Sequence, residues 1–114
     1  MEIVERRINE RNKVIKDAGE YANSLNFKCT VFLIGSYSRG DFNLWSDVDL
    51  IIVGDFSGNP IQRLKNLDFP PGYEVIPLTL NEIMQMKKKN NKLISDAFKY
   101  GVLLRDDFNI LEMV

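Results

Sequence analysis

Apolar residues recur near the start of the chain at Val4, Ile8, Ile15, Ala18, Ala22 and Leu25, with charged residues between them. That repeat marks one face of an α-helix. It predicts a long amphipathic helix over residues 2–25 laid on a sheet. Glu2 and Glu5 sit at the end where the helix dipole favours negative charge, and Arg6, Arg7 and Arg11 are read as its solvated face. The period then changes to two unbroken apolar runs, TVFLI at 30–34 and LIIV at 50–53, which read as buried strands. Loop chemistry fills residues 54–60, and a short helix over 61–67 begins near Pro60. Pro70-Pro71-Gly72 ends it, and residues 73–78 form a third strand. A helix between two strands is what a right-handed crossover to a parallel neighbour requires. Thr79 and Glu82 form a capping box that opens a helix through Ile83, Met84 and Met86, closed by Lys87, Lys88 and Lys89 as dipole-compensating charges. A further helix runs through Leu93, Ile94, Ala97, Phe98 and Tyr100, with Gly101 as its C′ residue. Residues 102–104 add a short edge strand. Residues 108–114 are apolar enough either to fold back on the core or to meet a partner. The expected fold class is α/β (α+β): a small mixed sheet of three to four strands with helices packed on it.

Composition narrows the chemistry. At 114 residues the chain is expected to be a single domain over 1–114. An apolar content of 45% and a charged content of 27% are those of an ordinary globular protein. Fifteen basic residues against sixteen acidic ones give no global field for long nucleic acid. No apolar run is long enough for a membrane span or a signal-peptide core, so a cytoplasmic location is expected. The single Cys29 excludes an intramolecular disulfide and reads as a buried structural thiol. The absence of histidine removes the commonest general base, so catalysis must rest on carboxylates, a bound metal, Lys, Arg or hydroxyls.

The stretch GSYSRGDFNLWSDVDLIIV, residues 35–53, carries the candidate chemistry. Gly35-Ser36 at a strand-to-helix junction offers backbone N–H groups and a hydroxyl suited to phosphate oxygens. Asp47 and Asp49 lie two apart at the start of the next strand, where a period of two sends both to one face and their hard oxygens suit Mg²⁺. Phosphate donors ending one strand can meet carboxylates starting the next only if the two strands run antiparallel. Either fragment alone is more often structural, a Gly-Ser that closes a strand or acids that keep a strand end soluble. Their combination at this spacing is more specific.

GS, ten residues, then D-x-D followed by aliphatics resembles the signature of the minimal nucleotidyltransferases (MNT type) of the DNA polymerase beta superfamily, with Ser38-Arg39-Gly40 and Ser46 as the usual filler. The resemblance implies a polymerase-beta-like core. It implies catalytic and metal-binding roles for Asp47, Asp49 and a third acid, Glu74, which a parallel third strand would bring alongside. The family usually has Asp at that position. It further implies two Mg²⁺ ions, replaceable by Mn²⁺, and ATP or another NTP as substrate. Gly35, Ser36, Arg39 and Ser46 would form the nucleotide site. Arg39 could equally pair with Asp41 and brace the loop.

Larger relatives add a helical domain that grips the acceptor. Without one, the acceptor would be small, bound at a homodimer interface, or presented by another protein. Minimal members commonly act as antitoxins beside a helical HEPN-type protein, and some transfer AMP to a tyrosine of it. The resemblance thus implies that role here. Two other readings stay open: a non-catalytic antitoxin that neutralises its partner by contact, and a small-molecule nucleotidyltransferase.

Overall fold

The first periodic stretch forms helix α1, Glu2–Ser24, in the computed structural model, which describes residues 2–113. Met1 and Val114, the two ends of the expected domain, lie outside the described residues. The remaining elements are β1 (Cys29–Ile34), α2 (Gly35–Arg39), β2 (Val48–Gly54), α3 (Pro60–Lys65), β3 (Tyr73–Leu78), α4 (Leu80–Lys88), α5 (Lys92–Tyr100), β4 (Val102–Asp106) and a closing 3₁₀ turn, Ile110–Glu112. The four strands form one mixed sheet in the order β3-β2-β1-β4. Strands β1 and β2 are antiparallel, the arrangement that brings the end of one to the start of the other; β3 joins β2 in parallel and β4 joins β1 in antiparallel fashion. Among the described residues no helix is long and apolar enough to cross a membrane.

Both faces of the sheet are covered, which is why β1 and β2 read as continuous apolar runs and not as alternating ones. On one face Val31, Leu33, Leu50, Ile52 and Val75 pack with Ala18 and Ala22 of α1. On the other, Phe32, Ile34, Ile51, Val53 and Leu78 pack with Ile83 of α4, Ile94 and Ala97 of α5, and Ile110. Ile110 is fully buried, so the tail folds back on the core at that residue, while Leu111 and Met113 stay exposed.

Local chemistry sets the element ends. Asn59 and Gln62 exchange hydrogen bonds of 2.8 and 2.9 Å around Pro60 to open α3. Thr79 and Glu82 do the same for α4. Gly101 departs from the left-handed C′ expectation: its φ is −66°, an ordinary value. What demands glycine there is space, because a Cβ would run into the carbonyl oxygen of Ala97, which accepts the Gly101 N–H. Helix α1 has no basic residue in its last turn. Arg105 of β4 supplies that charge, donating to the carbonyls of Ala22 and Leu25 at 2.8 and 2.7 Å.

Candidate active site

At the end of β1 the chain must turn sharply, and Gly35 makes the turn with φ of 75°. A Cβ at this position would also collide with the Asp49 carboxylate, so both backbone and space require glycine. One short turn of helix follows. Ser38 Oγ donates to the Gly35 carbonyl at 2.8 Å, and Gly40, at φ of 87°, closes α2 by donating its N–H to Ser36 O. No side chain caps the start of α2, so its first N–H groups keep their hydrogen-bonding capacity.

Two arginines fix this turn against α1. Arg11 donates through Nε to Tyr37 O (2.8 Å) and through Nη2 to Ser38 O (2.9 Å). Arg7 donates to Gly40 O and Phe42 O at 3.0 and 2.8 Å, and its guanidinium lies 4.5 Å from the centre of the Phe42 ring. The reading of all three arginines as a solvated face therefore holds for Arg6, misses the loop bonds of the exposed Arg7, and fails for the half-buried Arg11. Helical periodicity places a residue on a face; it does not reveal that carbonyls from another segment wait there.

The carboxylates come from β2 and β3. In register, Ile34 faces Asp49 across the antiparallel pair and Asp49 faces Glu74 across the parallel one. Strand alternation puts Asp49 and Glu74 on the face covered by α4 and α5. Burial, followed by the charge and hydrogen bond of Glu74 and the charge of Asp47, raises the Asp49 carboxyl to about 6, with Arg39 opposing the shift. Two acids held this close favour sharing a proton or a cation.

Asp47 is placed differently from its partner. The turn before β2 is tied by Ser46 N–H to Asn43 O (3.1 Å), Asn43 N–H to Ser46 Oγ (2.9 Å) and Trp45 N–H to Asn43 Oδ1 (2.8 Å). The strand begins only at Val48, whose N–H bonds Gly72 O. Asp47 thus stands exposed one residue before the strand, near enough for its charge to act on Asp49. Ser46 is engaged in the turn.

A cleft of about 400 Å³ gathers Gly35, Ser36, Arg39, Asp49 and Glu74 in its lining. Asp47 and Ser46 are outside that lining. Arg39 lines the cleft and pairs with Asp41 at 3.2 Å, so the loop-bracing contact is present in the fold. The opposite wall comes from α5, with Leu93, Asp96, Ala97 and Tyr100. Helical periodicity sets the apolar three on one helix and assigns nothing to Asp96. The available signal was an acid set within the 93–97–100 stripe. Among the described residues no group of three or more acids encloses an ion position. The facing carboxylates Asp49 and Glu74 nevertheless have the charge and hard oxygens that fit a divalent cation.

Comparison with known proteins decides the family. Residues 11–104 match the family described as "Nucleotidyltransferase domain". The chain belongs to this nucleotidyltransferase family. A Methanocaldococcus jannaschii protein named "Putative protein adenylyltransferase" is 33% identical over 89 residues, covering 74% of this chain and 85% of the relative. The fold is also similar to a crystal structure described as a putative nucleotidyltransferase from Sulfolobus solfataricus, with a TM-score of 0.58 and 23% identity over 85% of this chain and 84% of that one. The protein is therefore a nucleotidyltransferase enzyme of polymerase-beta-like type, and the matched span of the nucleotidyltransferase contains every candidate residue from Gly35 to Glu74 as well as the α5 wall.

Proposed function

We propose that this nucleotidyltransferase is Mg²⁺-dependent and moves a nucleoside monophosphate, AMP from ATP, onto a hydroxyl of a partner protein, as the antitoxin of a HEPN-type pair. The observation that carries the reading is the Asp49–Glu74 pair beside the uncapped Gly35-Ser36 turn in one cleft. The name of the M. jannaschii relative supports protein as the acceptor class. So does the loop that carries Asp47: it exposes Leu44 and Trp45 to 84% and 86%, a surface suited to docking a protein beside the site. That observation favours a protein acceptor over a small molecule. A contact-only antitoxin would use the same surface, but would have no need of the paired acids.

In this scheme the first N–H groups of α2 and the Ser36 hydroxyl hold β- and γ-phosphate oxygens, and Arg39 adds a charge-assisted contact. Asp49 and Glu74 would hold the metal, joined by Asp47 from the adjoining turn; Ser46 would act by shaping that turn. When bound, the metal supplies charge neutralisation at the phosphates and acidifies the acceptor hydroxyl. The acceptor oxygen attacks the α-phosphorus, its proton passes to a carboxylate of the pair, and the bond to the bridging α–β oxygen breaks to release pyrophosphate.

The test is intact-mass measurement of a HEPN-type partner co-expressed with the protein. An added nucleoside monophosphate is expected with the wild type and none with Glu74→Gln. A partner that is neutralised yet never modified would favour the contact-only reading.

A further inference from the structure

The cleft is chemically two-sided. Its β-sheet end carries the glycine turn, Arg39 and the two carboxylates, while the α5 wall adds Leu93, Ala97 and the ring of Tyr100, continued by Ile34 and Ile76 from the strands. Tyr100 is 47% exposed although it lines the cleft, and the Lys99 ammonium stands 5.1 Å from its ring centre on one face, so a ligand would use the other face. Asp96 is the anomaly. A carboxylate in a cleft that receives a triphosphate opposes that anion, and its nearest cation, Lys92, is 3.7 Å away on a side chain that is 90% exposed. An acid at this place fits a ligand whose far end presents hydrogen-bond donors.

We infer that the α5 wall is the nucleobase subsite of this cleft, with Tyr100 as the surface on which the base stacks and Asp96 as the acceptor for an exocyclic amine. The inference rests on the nucleotide reading above. Leu93 and Ala97, one helical turn apart and next to Tyr100, form the apolar floor a base plane needs, and stacking on an aromatic ring tolerates any base. Selection then falls to Asp96. A carboxylate accepts from an amine such as that of adenine, and is repelled by the carbonyl oxygen that replaces the amine in hypoxanthine.

Calorimetry with Mg²⁺ and three ligands separates the two halves of the cleft: tripolyphosphate and the α,β-methylene analogues of ATP and ITP. The wild type should bind the ATP analogue about tenfold or more tightly than tripolyphosphate, and about tenfold more tightly than the ITP analogue. Tyr100→Ala should erase most of the first difference while tripolyphosphate affinity stays as it was, and Tyr100→Phe should restore it. Asp96→Ala should erase the second difference and leave tripolyphosphate binding unchanged or slightly tighter. Wild-type affinities for the ATP analogue in both alanine variants would overturn the assignment and give the wall to the acceptor. An equal loss for all three ligands would overturn it as well, as general damage to the cleft. Failure of the wild-type protein to bind either tripolyphosphate or the ATP analogue would instead defeat the underlying nucleotide reading.

Discussion

Asp49 is the residue on which the site turns. Replacing it by Asn should reduce transfer about 10³-fold or more, the scale of removing a metal-binding or charge-stabilising group from a transfer site. The melting temperature of the metal-free protein should stay the same or rise, because burial and Glu74 both work against a charge at this position. Initial rates together with a thermal melt check the two halves of the prediction. Gly35→Ala should behave in the opposite way for stability. It forces a side chain into φ of 75° and into the Asp49 carboxylate, at a cost of about 1–3 kcal/mol, and should lose nucleotide binding as well. A stable, fully active Gly35→Ala protein would mean that the turn is free to relax. At this scale the sequence was informative where parity and spacing rule. Glu74 could be brought beside Asp49 from the parallel crossover alone. The start of β2 was not legible, because the hydrogen bonds of the 43–46 turn leave Asp47 one residue ahead of the ladder, which begins at Val48.

Between elements, buried cations act on backbone carbonyls far away in the chain, and these were not legible from periodicity. Arg63 of α3 is buried, only 7% exposed; it donates to Gly58 O, Pro77 O and the Glu82 carboxylate of α4. That hydrogen bond, aided by the Thr79 N–H, holds Glu82 below the usual carboxylate range. A depressed folded value means that the contribution to stability is present above the unfolded value, near 4.5, and is lost as pH falls through the folded one. Glu82→Gln should therefore cost about 1 kcal/mol or less near neutrality, because solvent screens a carboxylate whose side chain is 42% exposed, and still less in acid, as read from denaturant midpoints across the acid range. A constant difference across that range would contradict the assignment. Arg11→Ala should cost about 1–3 kcal/mol by leaving the Tyr37 and Ser38 carbonyls unpaired, and should weaken nucleotide binding although Arg11 lies outside the cleft lining. Recovery of part of both in Arg11→Lys, seen by melting and calorimetry, would mark the arginine as a positioning residue. The bounds of β3 and the capped start of α4 followed from the apolar run and the capping box, whereas α3 ends at Lys65, β2 begins only at Val48 and β4 runs on to Asp106. The α5 wall did not, since a helical stripe shows which residues share a face and leaves open what the face meets.

Over the whole molecule, exposed apolar residues occur on several elements, and two groups of them flank one contact. Leu44 and Trp45 project from the loop before Asp47, and Ile3, Val4 and Ile8 are exposed on the first turns of α1, whose Arg7 binds the same loop through Phe42 O. Trp45→Ser should leave nucleotide affinity unchanged and lower the rate of modification of a protein acceptor, a split that calorimetry and acceptor titration would show. The most direct measurement of the central claim is positional labelling. The protein is incubated with Mg²⁺, soluble protein from cells that express it, and ATP carrying the label at either the α- or the γ-phosphate. Covalent label should enter protein from the α position and not from the γ position, and should disappear with Asp49→Asn and with Glu74→Gln. Label arriving from the γ-phosphate, or α-label that persists in both variants, would contradict nucleotidyl transfer by this pair of carboxylates.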